Sequence, residues 1–483
     1  MRAHLPILPL LVSLTGALVI PLVGFAWRRL CWPLAVAAAG AASAAAIAGV
    51  ADVVARGAQR YPVGGWAPPW GIELVLDPLS AFSGAAVATV ATCALLASGP
   101  GATRAYGVAL PAFYSLALVA LAGFLGIIAS GDMFNVFVFL EIAAIATYAL
   151  VASAGGPALA AAFRYIVLGT VGASFYLFGV GCLYALTGTL NMADLSARLP
   201  PTSGSPLLVG GIAFAGVGLA IKMGLFPLHG WLPDAYTHAP APITAFIAGV
   251  GTKAAAYAMA RTMLYVVHRP DLPVTTALAW AGGVAIIAGG VMAARQSDAR
   301  RLLAYSSVSQ LGYIAVGIGL ANEAGLAGAY LHLLNHAVMK ALLFVAVGAA
   351  LLRGGRPWLS ALGLDRTMPL TAACVVVGAL SIVGVPPAGG FFSKWYLIRG
   401  ALDAGEPLLV AALLAGGLLA VVYMYRLTEA VWIGGAAQGA GGREAPASVL
   451  ASLVLLAGLT IAAGLASATL VDTILVPAAR GAL

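Results

Sequence analysis

Apolar runs of about twenty residues, the length that crosses a bilayer as a helix, follow one another along nearly the whole chain. They fall near 5–26, 31–54, 77–98, 108–129, 132–153, 159–187, 206–228, 240–267, 273–294, 301–321, 324–352, 369–400, 407–432 and 447–470. That pattern fixes the solvent. Only 8% of the 483 residues are charged and 62% are hydrophobic, whereas a soluble domain carries roughly 25% charged residues. A transmembrane barrel would alternate polar and apolar positions, and these runs do not. The sequence therefore predicts an all-α polytopic membrane protein of about fourteen transmembrane helices. Segment 5–26 has no small-residue cleavage site and is followed by Trp27-Arg28-Arg29, so it is expected to remain as a span. Segment 56–76, with Pro62, Trp66, Pro68, Pro69 and Trp70, reads as an interfacial loop.

Several functions fall away at once. The net charge is +8, but no run of Lys or Arg stands behind it, so nucleic acid is not an expected partner. Ten arginines collect on the side of the odd-numbered loops against seven on the other. By the positive-inside rule the odd loops are cytoplasmic, with both termini outside a bacterial inner membrane. Cys31, Cys93, Cys182 and Cys374 lie singly in apolar stretches, so no iron–sulfur or zinc ligation is expected. The nearest approach to a phosphate loop, Gly249-Val-Gly-Thr-Lys253, has the wrong order and lies in an apolar run. No cofactor and no metal are expected.

Two spans are interrupted, at Gly224-Leu-Phe-Pro227 running on to Pro233, and at Gly384-Val-Pro-Pro-Ala-Gly-Gly390. Proline removes a helix hydrogen bond and clashes with the preceding turn. Within a membrane such breaks are tolerated where the backbone is buried in protein or lines a hydrated cavity. They fall in the seventh and twelfth spans, the paired placement that marks a transporter built from inverted repeats. Two unrelated kinks are the plainer alternative.

The lysines carry the functional argument. The chain has twenty arginines but only four lysines, Lys222, Lys253, Lys340 and Lys394, and all four lie inside predicted spans. A lysine near a helix centre costs about 2.5–3.5 kcal/mol; snorkelling to an interface excuses one or two of them, not four. Lysine can also give up its proton when desolvated, whereas arginine stays charged. Most of the sixteen carboxylates sit in loops or at span ends, but Glu141 lies well inside the fifth. A Glu141–Lys222 pair is expected; a neutral Glu141 bonded to backbone is the alternative. In the eleventh span His332, His336 and Lys340 recur every fourth residue and so share one helix face. Histidine titrates nearest neutrality and passes protons through either ring nitrogen. Haem ligation is disfavoured, because two histidines on one helix cannot clamp a haem from opposite sides. Ser306, Ser307, Ser309 and Gln310 add polar lining in the tenth span.

The stretch His229-Gly-Trp-Leu-Pro-Asp-Ala-Tyr-Thr-His-Ala-Pro-Ala-Pro-Ile-Thr244, the following Lys253, and Arg301-Leu-Leu-Ala-Tyr-Ser-Ser-Val-Ser-Gln-Leu-Gly312 resemble the antiporter-like subunits of respiratory complex I. They also resemble the large subunits of Mrp-type Na⁺/H⁺ antiporters. The resemblance covers about residues 70–430, and the wording Phe-Phe-Ser-Lys-Trp395 is most similar to the D-type subunits of the Mrp antiporters. It implies fourteen helices with two inverted five-helix repeats: helices 1–3 over 1–106, repeats over 107–268 and 269–433, and a last helix and tail over 434–483. It implies a glutamate–lysine pair at Glu141 and Lys222, a connecting lysine at Lys253, a central relay at His332 and His336, and a terminal charged residue at Lys394. Lys340 is less firmly placed. The terminal residue is a lysine where one related subunit has glutamate, and the long lateral helix of another is lacking.

The expected function is that of a proton-translocating subunit of a multisubunit complex, with other membrane subunits as partners, moving H⁺ along this relay. The driver is a Na⁺ gradient in a Na⁺/H⁺ antiporter, or, alternatively, electron transfer in an NADH:quinone oxidoreductase or membrane-bound hydrogenase. A bicarbonate-uptake partner, a stand-alone solute carrier and a quinone- or haem-using oxidoreductase are lesser alternatives.

Overall fold

The computed structural model describes residues 2–200, 204–267, 269–353, 357–364, 367–433 and 444–483. The repeat boundaries at 268 and 434 lie outside the described residues, as do Arg356, Arg366 and Arg443, three of the arginines that set the expected orientation. Thirteen helices among the described residues are long and apolar enough to cross a membrane. The first six are α1 Leu8–Ala26, α2 Cys31–Arg56, α3 Pro78–Tyr106, α4 Leu110–Ala129, α5 Met133–Ala152 and α6 Pro157–Thr187. The seventh is α7a Pro206–Met223, continued by α7b Leu232–His238; α8 follows over Ala241–Val267. Beyond it come α9 Val274–Ala294, α10 Ala299–Leu320 and α11 Glu323–Leu352. The twelfth crossing is split into α12a Pro369–Val383, too short to cross alone, and α12b Gly389–Asp403. Helices α13 Pro407–Trp432 and α14 Ala447–Leu465 complete the bundle. The loop expected over 56–76 carries a short antiparallel hairpin, β1 Gln59–Pro62 with β2 Glu73–Leu76. No alternation in so short a stretch announces those strands.

Proline opens α3, α6, α7a, α12a and α13 within their first two residues, where its missing N–H is not needed. Side-chain caps fix other starts: Asp77 accepts from the Ser80 amide and Asp132 from the Asn135 amide, while Asp298 accepts from the Arg300 and Arg301 amides. The least apolar spans, α8 and α10, are together with α11 the most deeply buried. That inversion of the usual rule follows from where the polar side chains lie: they are shielded from lipid at the centre, with the Ala- and Leu-rich α1, α2, α13 and α14 outside.

Helices α4–α8 and α9–α13 repeat one plan. In each, an aspartate caps the second helix and bridges to a later loop, Asp132 to Asn191 and Asp298 to Trp358. Each fourth helix breaks at a glycine in the left-handed region, Gly224 at φ 77° and Gly384 at φ 93°, where a Cβ would be strained. The amides of Gly224 and Leu225 turn back onto the Ala220 carbonyl, and those of Gly384 and Val385 onto the Leu380 carbonyl. A unit of five crossings repeated in tandem must start from opposite faces of the membrane, so the two repeats are inverted. The expected single runs 206–228 and 369–400 are thus each two helices, because the glycine turn redirects the chain before the prolines.

Candidate functional site

The breaks create the site. Where α7a ends, the Lys222 ammonium donates to Glu141 Oε1 on α5 at 3.1 Å. The lysine side chain is 7% exposed and the glutamate 27%. Beside it, the Trp231 indole N–H donates to the Ile221 carbonyl at 2.8 Å, and its ring stacks on Tyr165 at 4.1 Å. These contacts satisfy carbonyl groups that a broken helix leaves open. On the next element, α7b, Asp234 accepts from Arg301 at 3.1 Å and from Arg164, which fastens the loose segment to α6 and α10.

Lys253 is fully buried on α8. Its ammonium donates to the Ala248 carbonyl and to Thr252 Oγ1 at 3.3 Å. Ala248 lies in a π-helical turn, Ile247–Gly251, and such turns are frequent at functional sites. Helix α8 packs against α11, so Lys253 lies within electrostatic reach of His332, His336 and Lys340. The Lys222 ammonium is bonded to Glu141 and that of Lys253 to its own helix, so the paired end and the central group are separate clusters.

The expected face of α11 is present, with one difference. The rings of His332 and His336 lie 6.2 Å apart and 13° from parallel. Lys340 turns aside to α10, donating to the Leu303 carbonyl at 2.9 Å and to Ser306 Oγ. His332 Nε2 lies 3.1 Å from Gln310 Oε1, and Nδ1 lies 2.9 Å from Ser393 Oγ. The amide oxygen can only accept, so Nε2 carries the hydrogen and Nδ1 accepts from the serine hydroxyl. Ser393 has a second acceptor, the Gly390 carbonyl at 3.2 Å. Its hydroxyl can swing there and leave Nδ1 open to a proton. Among the described residues neither nitrogen of His336 has a hydrogen-bond partner, and a polar group so buried calls for water.

Lys394, on α12b, reaches back across the second break and donates to the Ile382 and Val383 carbonyls at 2.5 and 3.1 Å. These are the last carbonyls of α12a, the negative end of its dipole. The ammonium also lies 4.9 Å over the Tyr313 ring, whose other neighbour is His332 at 5.4 Å.

The structure therefore brings together Glu141 with Lys222, the central group Lys253, His332, His336 and Lys340, and Lys394 beside His332. Sequence reasoning missed Ser393 and Tyr313. Ser393 precedes Lys394 directly and could have been found there; Tyr313 carries no signal. Ser393→Ala would remove the swinging hydroxyl but hardly change volume. We expect driven proton flux to fall roughly tenfold, the rate worth of one hydrogen bond, and Ser393→Thr to restore most of it. Flux in vesicles at matched expression checks this.

Residues 130–420 match the family described as NADH:quinone oxidoreductase/Mrp antiporter, TM. The N-type subunit of the NADH-quinone oxidoreductase of Desulforudis audaxviator is 46% identical over 92% of this chain and 90% of its own. The D-type subunit of the Na⁺/H⁺ antiporter of Alkalihalophilus pseudofirmus is 34% identical over 78% of this chain and 76% of its own. A chain in the structure of the membrane-bound sulfane sulfur reductase, an archaeal respiratory membrane complex, superposes with a TM-score of 0.90. It is 33% identical, over 99% of this chain and 97% of that one.

Proposed function

The chain belongs to the NADH:quinone oxidoreductase/Mrp antiporter family of transmembrane subunits, and on that premise we propose that it conducts protons along the membrane mid-plane. The carrying observation is the set of partners chosen by the buried lysines. Lys253, Lys340 and Lys394 bond to carbonyl and hydroxyl oxygens. An ammonium with such neutral partners can discharge without leaving an anion buried behind it. Lys222, held by Glu141, is the exception, and that pair acts as the switch. When the pair is closed Lys222 stays charged; when it opens Lys222 can release its proton toward Lys253. From there the proton passes through water to His336, then to His332, and by the Ser393 hydroxyl to Lys394. Lys340 lies on a side branch, where its charge sets the field at His336.

Transport against 100 mV requires about 2.3 kcal/mol per proton, which a partner must supply. A lateral face also asks for one: Glu141 lies on α5 among Phe134, Val138 and Ile145, all exposed. A carboxylate is costly against lipid, so a neighbouring membrane subunit covers this stripe. The assembly resides in a bacterial inner membrane. For the driver, identity of 46% to a quinone oxidoreductase subunit against 34% to an antiporter subunit supports electron transfer over the expected Na⁺ gradient. Vesicles carrying the intact assembly separate the two. Electron-donor-driven proton transport that is unchanged without Na⁺ is the expected result; proton movement that needs a Na⁺ gradient and no donor would restore the antiporter reading. No proton movement under either driver would sink both.

A further inference from the structure

The relay leaves unused a second ionised group buried in α8. Arg261 lies two turns beyond Lys253 with Tyr257 between them, and the three share one face at four-residue spacing. An arginine in a span is as costly as a lysine, and this one is 8% exposed. Its guanidinium makes two bonds to Asp77 at the start of α3, at 2.7 and 2.8 Å. Burial pushes the Asp77 carboxyl up, but the guanidinium and the Ser80 bonds outweigh it and hold it below the usual range. The pair is therefore ionised. Arg261 also donates from Nε and Nη2 to Tyr257 Oη at 3.1 and 2.9 Å, and its guanidinium lies 4.5 Å over the Tyr265 ring. A second π-helical stretch, Arg261–Val267, begins at this residue.

Beyond the pair lies a cavity of about 180 Å³, lined by Arg60, Glu73, Asp77, Ser130, Arg261 and Tyr265 among others. It lies on the face of the even-numbered loops, and the Arg60 side chain at its rim is 62% exposed. Helix side chains lean toward the N-terminus, so Tyr257, which accepts both guanidinium bonds, has its own hydroxyl hydrogen to donate toward the Lys253 turn.

We propose that this face of α8 is an aqueous half-channel joining Lys253 to the even-loop face, with Tyr257 as its proton-passing group and the Asp77–Arg261 pair as its gate. The guanidinium cannot release a proton, so while the pair is closed it bars the path and its positive charge repels cations, as arginines do in water-selective pores. When the pair opens, the cavity extends to Tyr257 and the proton on Lys253 gains a second outlet. This inference rests on Lys253 being part of the relay.

Vesicles carrying the intact assembly test it with two variants and one reference. Tyr257→Phe keeps the ring and removes the hydroxyl; driven proton flux should fall roughly tenfold, one missing hydrogen-bond link, at native assembly. The double change Asp77→Asn with Arg261→Gln removes both charges together, and its undriven proton leak should rise at least about tenfold. Adding Lys253→Met should close that leak. Native flux in Tyr257→Phe while Lys253→Met abolishes transport would overturn the half-channel alone. A double variant that assembles and stays as proton-tight as the native protein would overturn the gate. Native flux in Lys253→Met would instead remove Lys253 from the relay, and the half-channel with it.

Discussion

Glu141→Gln should lower driven proton transport by about 10²-fold or more, the scale on which positioned proton-transfer groups act, while the protein still assembles. Glutamine has the shape of the carboxylate and can accept from Lys222, but it cannot hold the ammonium charged or respond when the pair separates. The stability consequences are separable and asymmetric. Lys222 is nearly inaccessible while Glu141 is about a quarter exposed. Removing the glutamate charge therefore strands a buried cation, a loss of about 3 kcal/mol on the scale of broken buried pairs. Lys222→Met is milder, because the carboxyl it leaves can take up a proton and become neutral. The double change Glu141→Gln with Lys222→Met should be at least as stable as the less stable single, since no unpaired charge remains. Thermal unfolding in lipid nanodiscs measures the cycle. A double variant clearly less stable than both singles would mean that the residues are not partners, and native transport in Glu141→Gln would end the switch role.

What the sequence could disclose was set by chemistry that stands out against an apolar background. A lysine in a run of leucine and alanine needs a reason wherever the helix packs, so Lys222, Lys253, Lys340 and Lys394 were legible singly. The Glu141 contact was legible because few intramembrane carboxylates compete for Lys222. The breaks were legible because Gly224 and Gly384 stand close to proline. Pairings across distant helices were not: Arg261 finds Asp77 at the start of α3, five crossings earlier, and no local pattern links them. The π-helical turns of α8 also leave no trace, since a span apolar on every side looks the same at any helical period. Periodicity placed Lys340 on the histidine face, yet its long side chain follows the nearest oxygens, Leu303 and Ser306, away from the rings. A shared face fixes where a side chain starts, and available acceptors decide where a flexible one ends.

Lys394 offers the sharper test of what travels along the path. Its ammonium is held by two helix-end carbonyls and an aromatic face, all of which welcome a cation and none of which is a carboxylate. If the residue only places a positive charge at the break, arginine should serve best, because the guanidinium keeps the charge and adds donors. If it carries a proton, arginine must fail, since it does not discharge near neutrality, and Lys394→Met must fail for want of any titratable group. Lys394→Glu is the informative substitution. An ionised carboxylate would be repelled by the Ile382 and Val383 carbonyls, so it would sit there as the acid, donating its proton to one of them and exchanging it with water. Partial transport should survive in Lys394→Glu, with losses of about 10²-fold or more in Lys394→Arg and Lys394→Met. Proton flux in vesicles at matched expression ranks the three. Transport retained by arginine and lost in glutamate would make Lys394 an electrostatic anchor, and the relay would then have to end at Ser393 or take another outlet.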